Sequence, residues 1–177
     1  MNLAKLFDMQ QKLDAHIEKE HPREPGEDRL AKKILALQVE IGELANELPE
    51  VFKFWSIKKN NYEKALKEYV DGLHFILSIG LELGVPYEIL LGKPQVNETI
   101  EDDFINLYHD VFIIHQVSKH RLEKKTMRIY YELLLEDFIS LGERLGFTWE
   151  QIEQAYMEKN AENHRRQDSG VYWKVGW

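Results

Sequence analysis

The segment KEYVDGLHFILSIGLELG, residues 67–84, decides the fold. After Asp71 it is apolar on almost every side, through Leu73, Phe75, Ile76, Leu77, Ile79, Leu81 and Leu83. A helix hydrophobic all round is a buried helix. Gly84, with Pro86 behind it, predicts where that helix stops. At its head stand Glu68 and Asp71, three residues apart, so both carboxylates leave one helical face about one turn apart. A second segment repeats the arrangement. LALQVEIGELANEL, residues 35–48, carries Glu40 and Glu43 at the same spacing. Here Leu30, Ile34, Leu37, Ile41, Leu44, Leu48 and Val51 form a stripe at helical period, with Glu40 on its edge and Glu43 just beyond. The pattern predicts two adjacent helices that turn four carboxylates toward a common place beside the core.

The rest of the chain agrees with an all-α fold. Hydrophobic residues make up 44% of the 177, enough for a core, while 10 glycines and 5 prolines leave helix dominant. The length fits a single domain, 1–177, or two small halves. An amphipathic helix is expected over 2–20, broken by HPREPGEDR (21–29). The first acidic helix then runs from about 29 to 48, ended or kinked by Pro49. The connector EVFKFWSIKKNN (50–61) allows one or two helical turns, and the second acidic helix spans about 62–83. A short helical turn at 86–91 precedes GKPQVNET (92–99), which reads as a linker. Helices follow at about 99–120 and 122–145. The last begins at the capping box Thr148-Trp149-Glu150-Gln151 and runs to about 166. That makes about six main helices.

LSIGLELGVPYEIL (77–90) lines up with ISLGERLGFTWEQI (139–152) at an offset of 62. A duplicated helical hairpin accounts for such self-similarity, and so does convergence of helix–glycine–helix junctions. The offset sets Tyr130 and Leu133 opposite Glu68 and Asp71. A metal-bearing half at about 1–91 would then be completed by a second half at about 99–177.

Several classes are disfavoured. A net charge of −8 and a pI near 5.4 argue against a broad nucleic-acid surface, though not against a nucleotide held through metal ions. The absence of cysteine excludes disulfides and thiol chemistry and is compatible with a reducing cytoplasm. No targeting segment or membrane span is expected. The sequence lacks G-x-x-x-x-G-K-[ST], G-x-G-x-x-G and G-x-S-x-G. Seven histidines do not form a zinc or di-iron pattern: Asp71-x-x-His74 has no counterpart beside Glu40, and His74 reads as a core residue.

Four unpaired carboxylates near a core would cost several kcal/mol per ion. A divalent cation relieves that cost, and all-oxygen ligands favour Mg²⁺ or Mn²⁺. The competing account is a solvated acidic face. Lys53 and Trp55, near Lys58 and Lys59, suit a base and its phosphates, or else a core tryptophan with solvated lysines. Tyr156, Lys159, Asn163 and Arg166 share one helical face. Such a row of donors suits a polyphosphate, or pairing with acidic helices elsewhere.

Taken together the pattern resembles the dimeric all-α dUTPases, within the all-α NTP pyrophosphatase group that includes the MazG-like enzymes. The resemblance rests on Glu40-x-x-Glu43, Glu68-x-x-Asp71, the F-K-x-W segment at 52–55, D-x-L-H-F at 71–75 and Gln11-x-x-Asp14. Its most specific part is Y-x-x-K-N-x-x-N-x-x-R-Q-x-x-G at 156–170. It implies an all-helical homodimer that hydrolyses dUTP, and dUDP, to dUMP. It implies Mg²⁺ held by Glu40, Glu43, Glu68 and Asp71, with Glu43 also orienting the attacking water. It places Gln11, Asp14 and Trp55 at the uracil and deoxyribose, in part from the partner subunit. Lys159, Asn163 and Arg166, with Tyr156 close by, would hold phosphate oxygens, and the tail 167–172 would close over the nucleotide. The chain departs from the family at Asp14, where Asn is typical, and at Gly170-Val171-Tyr172, where Gly-Tyr is usual. Two alternatives remain: a sibling pyrophosphatase acting on another nucleotide, and a non-catalytic helical interaction protein.

Overall fold

The structure, a computed structural model, describes residues 2–85, 92, 97–120 and 123–170. Among these all regular structure is helical. The elements are α1 (Leu3–Glu20), α2 (Arg29–Glu47), α3 (Pro49–Phe52), α4 (Tyr62–Leu83), α5 (Ile100–Lys119), α6 (Lys124–Arg144) and α7 (Trp149–Ser169). Six are long and α3 is a single turn, as the sequence predicts. The expected helical turn at 86–91, residues 93–96 of the linker and the tail beyond 170 lie outside the described residues.

Local chemistry sets the boundaries. Asn2, Asp28, Asn61, Thr99 and Thr148 each accept a backbone N–H of the following first turn through the side chain. Thr148 and Gln151 complete a reciprocal capping box. Pro49 occupies the first position of α3, where a missing N–H costs nothing. Gly84 ends α4 in the left-handed region at φ 67°, which L residues adopt only under strain.

α4 is the central element. It packs most extensively on α2, and also against α1, α6 and α7; α5 packs on α6 and α2. Eleven α4 residues are buried, among them Leu73, Ile76, Leu77 and Ile79. One apolar cluster runs from Leu6 and Phe7 on α1 through Leu37, Ile41 and Leu73 to Leu134, Phe138 and Tyr156. No helix among the described residues is long and apolar enough to cross a membrane.

α4 and α6 meet through a reciprocal exchange. The Tyr69 hydroxyl donates to the Phe138 carbonyl at 3.1 Å, and the Tyr131 hydroxyl donates to the Ile76 carbonyl at 3.0 Å. Each tyrosine crosses its partner helix at a glycine, Tyr69 at Gly142 and Tyr131 at Gly80, where a Cβ would collide with the ring. The helix ends correspond too: Val85 N–H bonds the Gly80 carbonyl, and Phe147 N–H bonds the Gly142 carbonyl, both at 3.0 Å. Every one of these pairs lies at the offset of 62 seen in the sequence.

Candidate functional site

α2 and α4 bring the carboxylates together. Glu40, Glu68 and Asp71 each offer a carboxylate oxygen within 4.8 Å of the others, as ligands to one small cation would. Glu43 stands outside that trio on the exposed side of α2, yet its charge still reaches both Glu40 and Glu68. Burial, with Asp71, Glu43 and Glu68 close by, pushes the Glu40 carboxyl up to about 8. Glu68 and Asp71 are raised as well, chiefly by burial. For Asp71 this is opposed by the Lys159 ammonium, which donates to Asp71 Oδ2 at 2.5 Å. A half-buried trio of carboxyl groups held above their ordinary range, with one lysine between them, is under-neutralised. Oxygen donors only, half-buried and convergent, fit Mg²⁺ or Mn²⁺.

A cavity of about 680 Å³ opens beside the trio, between α1, α2, α4 and α7. α4 lines it at Asp71, His74, Phe75, Ser78 and Glu82, which share one face; α7 contributes Lys159, Asn163 and Arg166. The volume is that of a small-molecule site.

A hydrogen-bonded chain runs along the cavity wall. Gln10 is buried, and its Oε1 accepts from the Tyr156 hydroxyl at 2.8 Å. The same oxygen lies 2.7 Å from His74 Nδ1, which makes Nδ1 the protonated nitrogen. His74 stacks on Tyr156, and burial holds it neutral by lowering its pKa to about 3. Its Nε2 is buried with no hydrogen-bond partner among the described residues. The Gln10 amide donates to Asp14 Oδ1 at 2.7 Å, and Ser78 donates to Asp14 Oδ2 at 2.6 Å. Lys33 donates to Asp14 Oδ2 at 3.4 Å and to Glu82 at 3.0 Å. Arg23 forks onto Glu82 at 2.9 and 3.1 Å.

Apart from Glu43, beside the trio, the residues singled out in the sequence divide into three groups. Glu40, Asp71, Gln11, Asp14, Lys159, Asn163 and Arg166 all line the cavity, and Glu68 joins two of them in the trio. Tyr156 lies fully buried behind the wall, so it supports Gln10 and His74 instead of facing the cavity. Lys53 and Trp55 are not among the lining residues. Lys53 donates to Asn46, and Trp55 stands 67% exposed between Phe52 and Phe54. Gln10, Lys33, Ser78, Glu82 and Arg23 were not foreseen from the sequence. Ser78 and Lys33 did carry a signal. Ser78 is a hydroxyl inside an apolar run two turns past Asp71, and Lys33 sits two turns before Glu40.

Compared with known proteins, the chain matches the family model described as dUTPase over residues 2–171. No curated protein matches it.

Proposed function

The chain belongs to the dUTPase family, and from that premise we propose that the carboxylate trio and the adjoining cavity form a site in which a divalent cation and the nucleotide meet. The protein is a dUTP diphosphatase. Glu40, Glu68 and Asp71 would hold Mg²⁺, with Mn²⁺ as a substitute. The observation that carries this is the convergence of Glu40, Glu68 and Asp71, whose carboxylate oxygens lie within 4.8 Å of one another at the edge of the cavity. A bound cation there supplies activation of water and neutralisation of charge on the phosphates.

The chain's own residues do the rest. Glu43, exposed beside the trio, accepts a hydrogen bond from the attacking water and aims it at the α-phosphorus. Lys159, Asn163 and Arg166 donate to phosphate oxygens from one face of α7. Lys159 already pairs with Asp71, so the phosphate end of the cavity is built around an ion pair that the nucleotide can share. Gln11 and Asp14 face the deoxyribose and base further along. Trp55 projects from an exposed connector, which suits a contribution to the site of a second subunit, with Lys53, bonded to Asn46, close by in sequence. Hydrolysis of dUDP follows from the same chemistry, since the α-phosphorus is the point of attack in both substrates.

A homodimer is part of this proposal. α5 packs on α2, with the Tyr108 hydroxyl donating to the Gln38 carbonyl at 3.2 Å across the seam, and the two helices leave large apolar side chains exposed: Leu35 (63%) and Val39 on α2, Ile105 (64%), Tyr108 and Phe112 on α5. An apolar face of this kind, left exposed among the described residues, fits a second copy. The halves at 1–91 and 99–177 fit one duplicated unit, given the paired contacts between α4 and α6.

The test is pyrophosphate release from dUTP, dTTP, dCTP and UTP, with Mg²⁺ and then with EDTA. Turnover of dUTP that stops in EDTA is expected; turnover that persists in EDTA would remove the cation from the account. In the Glu43→Gln variant, kcat should fall by roughly 10²–10⁴-fold with the helical fold intact.

A further inference from the structure

We propose that Lys33 is a specificity-determining residue that donates a hydrogen bond to the 4-oxo group of the pyrimidine, reading the base edge together with Asp14. The inference rests on the nucleotide lying along the cavity in the proposed orientation, phosphates at the trio and base beyond.

Helix register sets the distance. Lys33 precedes Glu40 by seven residues on α2, and Ser78 follows Asp71 by seven on α4. Each interval is two turns, about 10 Å along the helix. Ser78 and Lys33 both donate to the same oxygen, Asp14 Oδ2, so α1, α2 and α4 converge at one level of the cavity. All three side chains line it. That level lies two turns beyond the carboxylate trio, about the reach of a nucleoside from its α-phosphorus to the far edge of a pyrimidine.

Counting hydrogen bonds then assigns the roles. An ionised carboxylate accepts and cannot donate. Asp14 receives the Gln10 amide, the Ser78 hydroxyl and the Lys33 ammonium, three of its roughly four acceptor positions. One position remains for an N–H of the base. Gln10 Oε1 is committed to Tyr156 and His74, which fixes the amide with its nitrogen toward Asp14; the side chain is 3% exposed, so its second hydrogen is shielded. The Ser78 proton is given to Asp14. Lys33 has three N–H donors, of which Asp14 and Glu82 take two. The third is left to face the cavity, and Arg23 holds Glu82 in place behind it.

The pair Asp14 and Lys33 thus presents an acceptor beside a donor. Uracil offers the complement, a donor at N3 and an acceptor at O4. Cytosine offers the reverse, an acceptor at N3 and an amino donor at the 4-position. A carboxylate alone at position 14 would welcome the cytosine amino group; the ammonium of Lys33 makes that arrangement repulsive. The edge of thymine is the same as that of uracil, so this device separates 4-oxo from 4-amino pyrimidines and leaves the 5-methyl group to sterics.

The experiment compares the full-length wild type with Lys33→Met and Lys33→Arg by kcat/KM on dUTP, dTTP and dCTP in Mg²⁺. Lys33→Met should lower kcat/KM for dUTP, and for any dTTP turnover, by about 10- to 100-fold while leaving dCTP unchanged or raised. Lys33→Arg, which keeps a charged donor, should recover most of the dUTP preference. An equal loss on dUTP and dCTP, or no loss, overturns the assignment. Should Lys33→Met not fold, the wild type alone decides. With 4-thio-dUTP, whose sulfur is a poor acceptor, kcat/KM should fall relative to dUTP; equal rates overturn the proposal. A wild type that releases no pyrophosphate from dUTP would reject the reading of the site itself, and Lys33 with it.

Discussion

Glu40 is held among three other carboxylates with burial against it, so its charge works against the fold whenever no cation is bound. Glu40→Gln should therefore raise the melting temperature in EDTA by roughly 2–4 °C, the shift expected for about 1 kcal/mol in a chain of this size. It should also erase the stabilisation that Mg²⁺ gives the wild type and abolish turnover; calorimetry with and without EDTA checks the first two. Asp137 supplies a separate pH dependence. Burial and the adjacent Asp110 raise its carboxyl to about 7. Between about pH 4 and 7 the folded protein keeps that proton while the unfolded chain releases it, so the folded state binds more protons and stability falls as pH rises through the window. Asp137→Asn should be more stable than wild type at pH 8 and no more stable at pH 4, measured by thermal denaturation. The acidic trio was legible in the sequence because i, i+3 spacing on one helix is a local property. Spacing puts Lys33 and Ser78 two turns from the acids, but what they do there, like the part of Gln10, was not legible, because it depends on Asp14, which sits on α1 and gathers donors from three helices. Tyr156 shared a face with the cavity donors by spacing, yet it turned into the core, since an aromatic at the seam of α1, α4 and α7 gains more from burial than from solvent.

At the scale of elements, the contact between α4 and α6 depends on two glycines. A Cβ at Gly142 would lie 2.5 Å from the Tyr69 hydroxyl oxygen, and a buried aromatic has little room to move. Gly142→Ala should destabilise by about 1–3 kcal/mol, as overpacking does, and Gly80→Ala similarly; urea denaturation of each variant checks the amount. Boundaries were legible where a side chain or glycine makes the cap. Gly84 and Thr148 do so, and α4 and α7 end and begin, respectively, where expected. α6 begins at Lys124, two residues after the expected position, and its N-cap Glu123 makes no side-chain hydrogen bond that could have marked the start. α7 runs on to Ser169 because Gly170, in the left-handed region, is the first residue suited to stopping it.

For the whole molecule, the proposed dimer makes its own prediction. Leu35→Glu with Phe112→Glu places charge on the apolar face of α2 and α5 without touching the buried cluster. Light scattering should then report a monomer with an unchanged helical signal, and turnover should fall if Trp55 serves the neighbouring site. The all-helical plan was legible because hydrophobic period is written along each helix. The apolar face was not: Leu35 and Val39 lie off the α2 stripe and gain meaning only from the packing of α5 on α2, and Phe54 and Ile57, at 94% and 98% exposed, sit in a connector with no period at all. The crossed tyrosines also bind the two halves to one fate. Each hydroxyl is anchored on the backbone of the other helix, so loosening either α4 or α6 strips a hydrogen-bond partner from both. The two halves should melt as one cooperative unit: amide exchange in α4 and α6 should be lost in a single global opening, and a polypeptide cut within the 92–99 segment should either reassociate or lose both halves together.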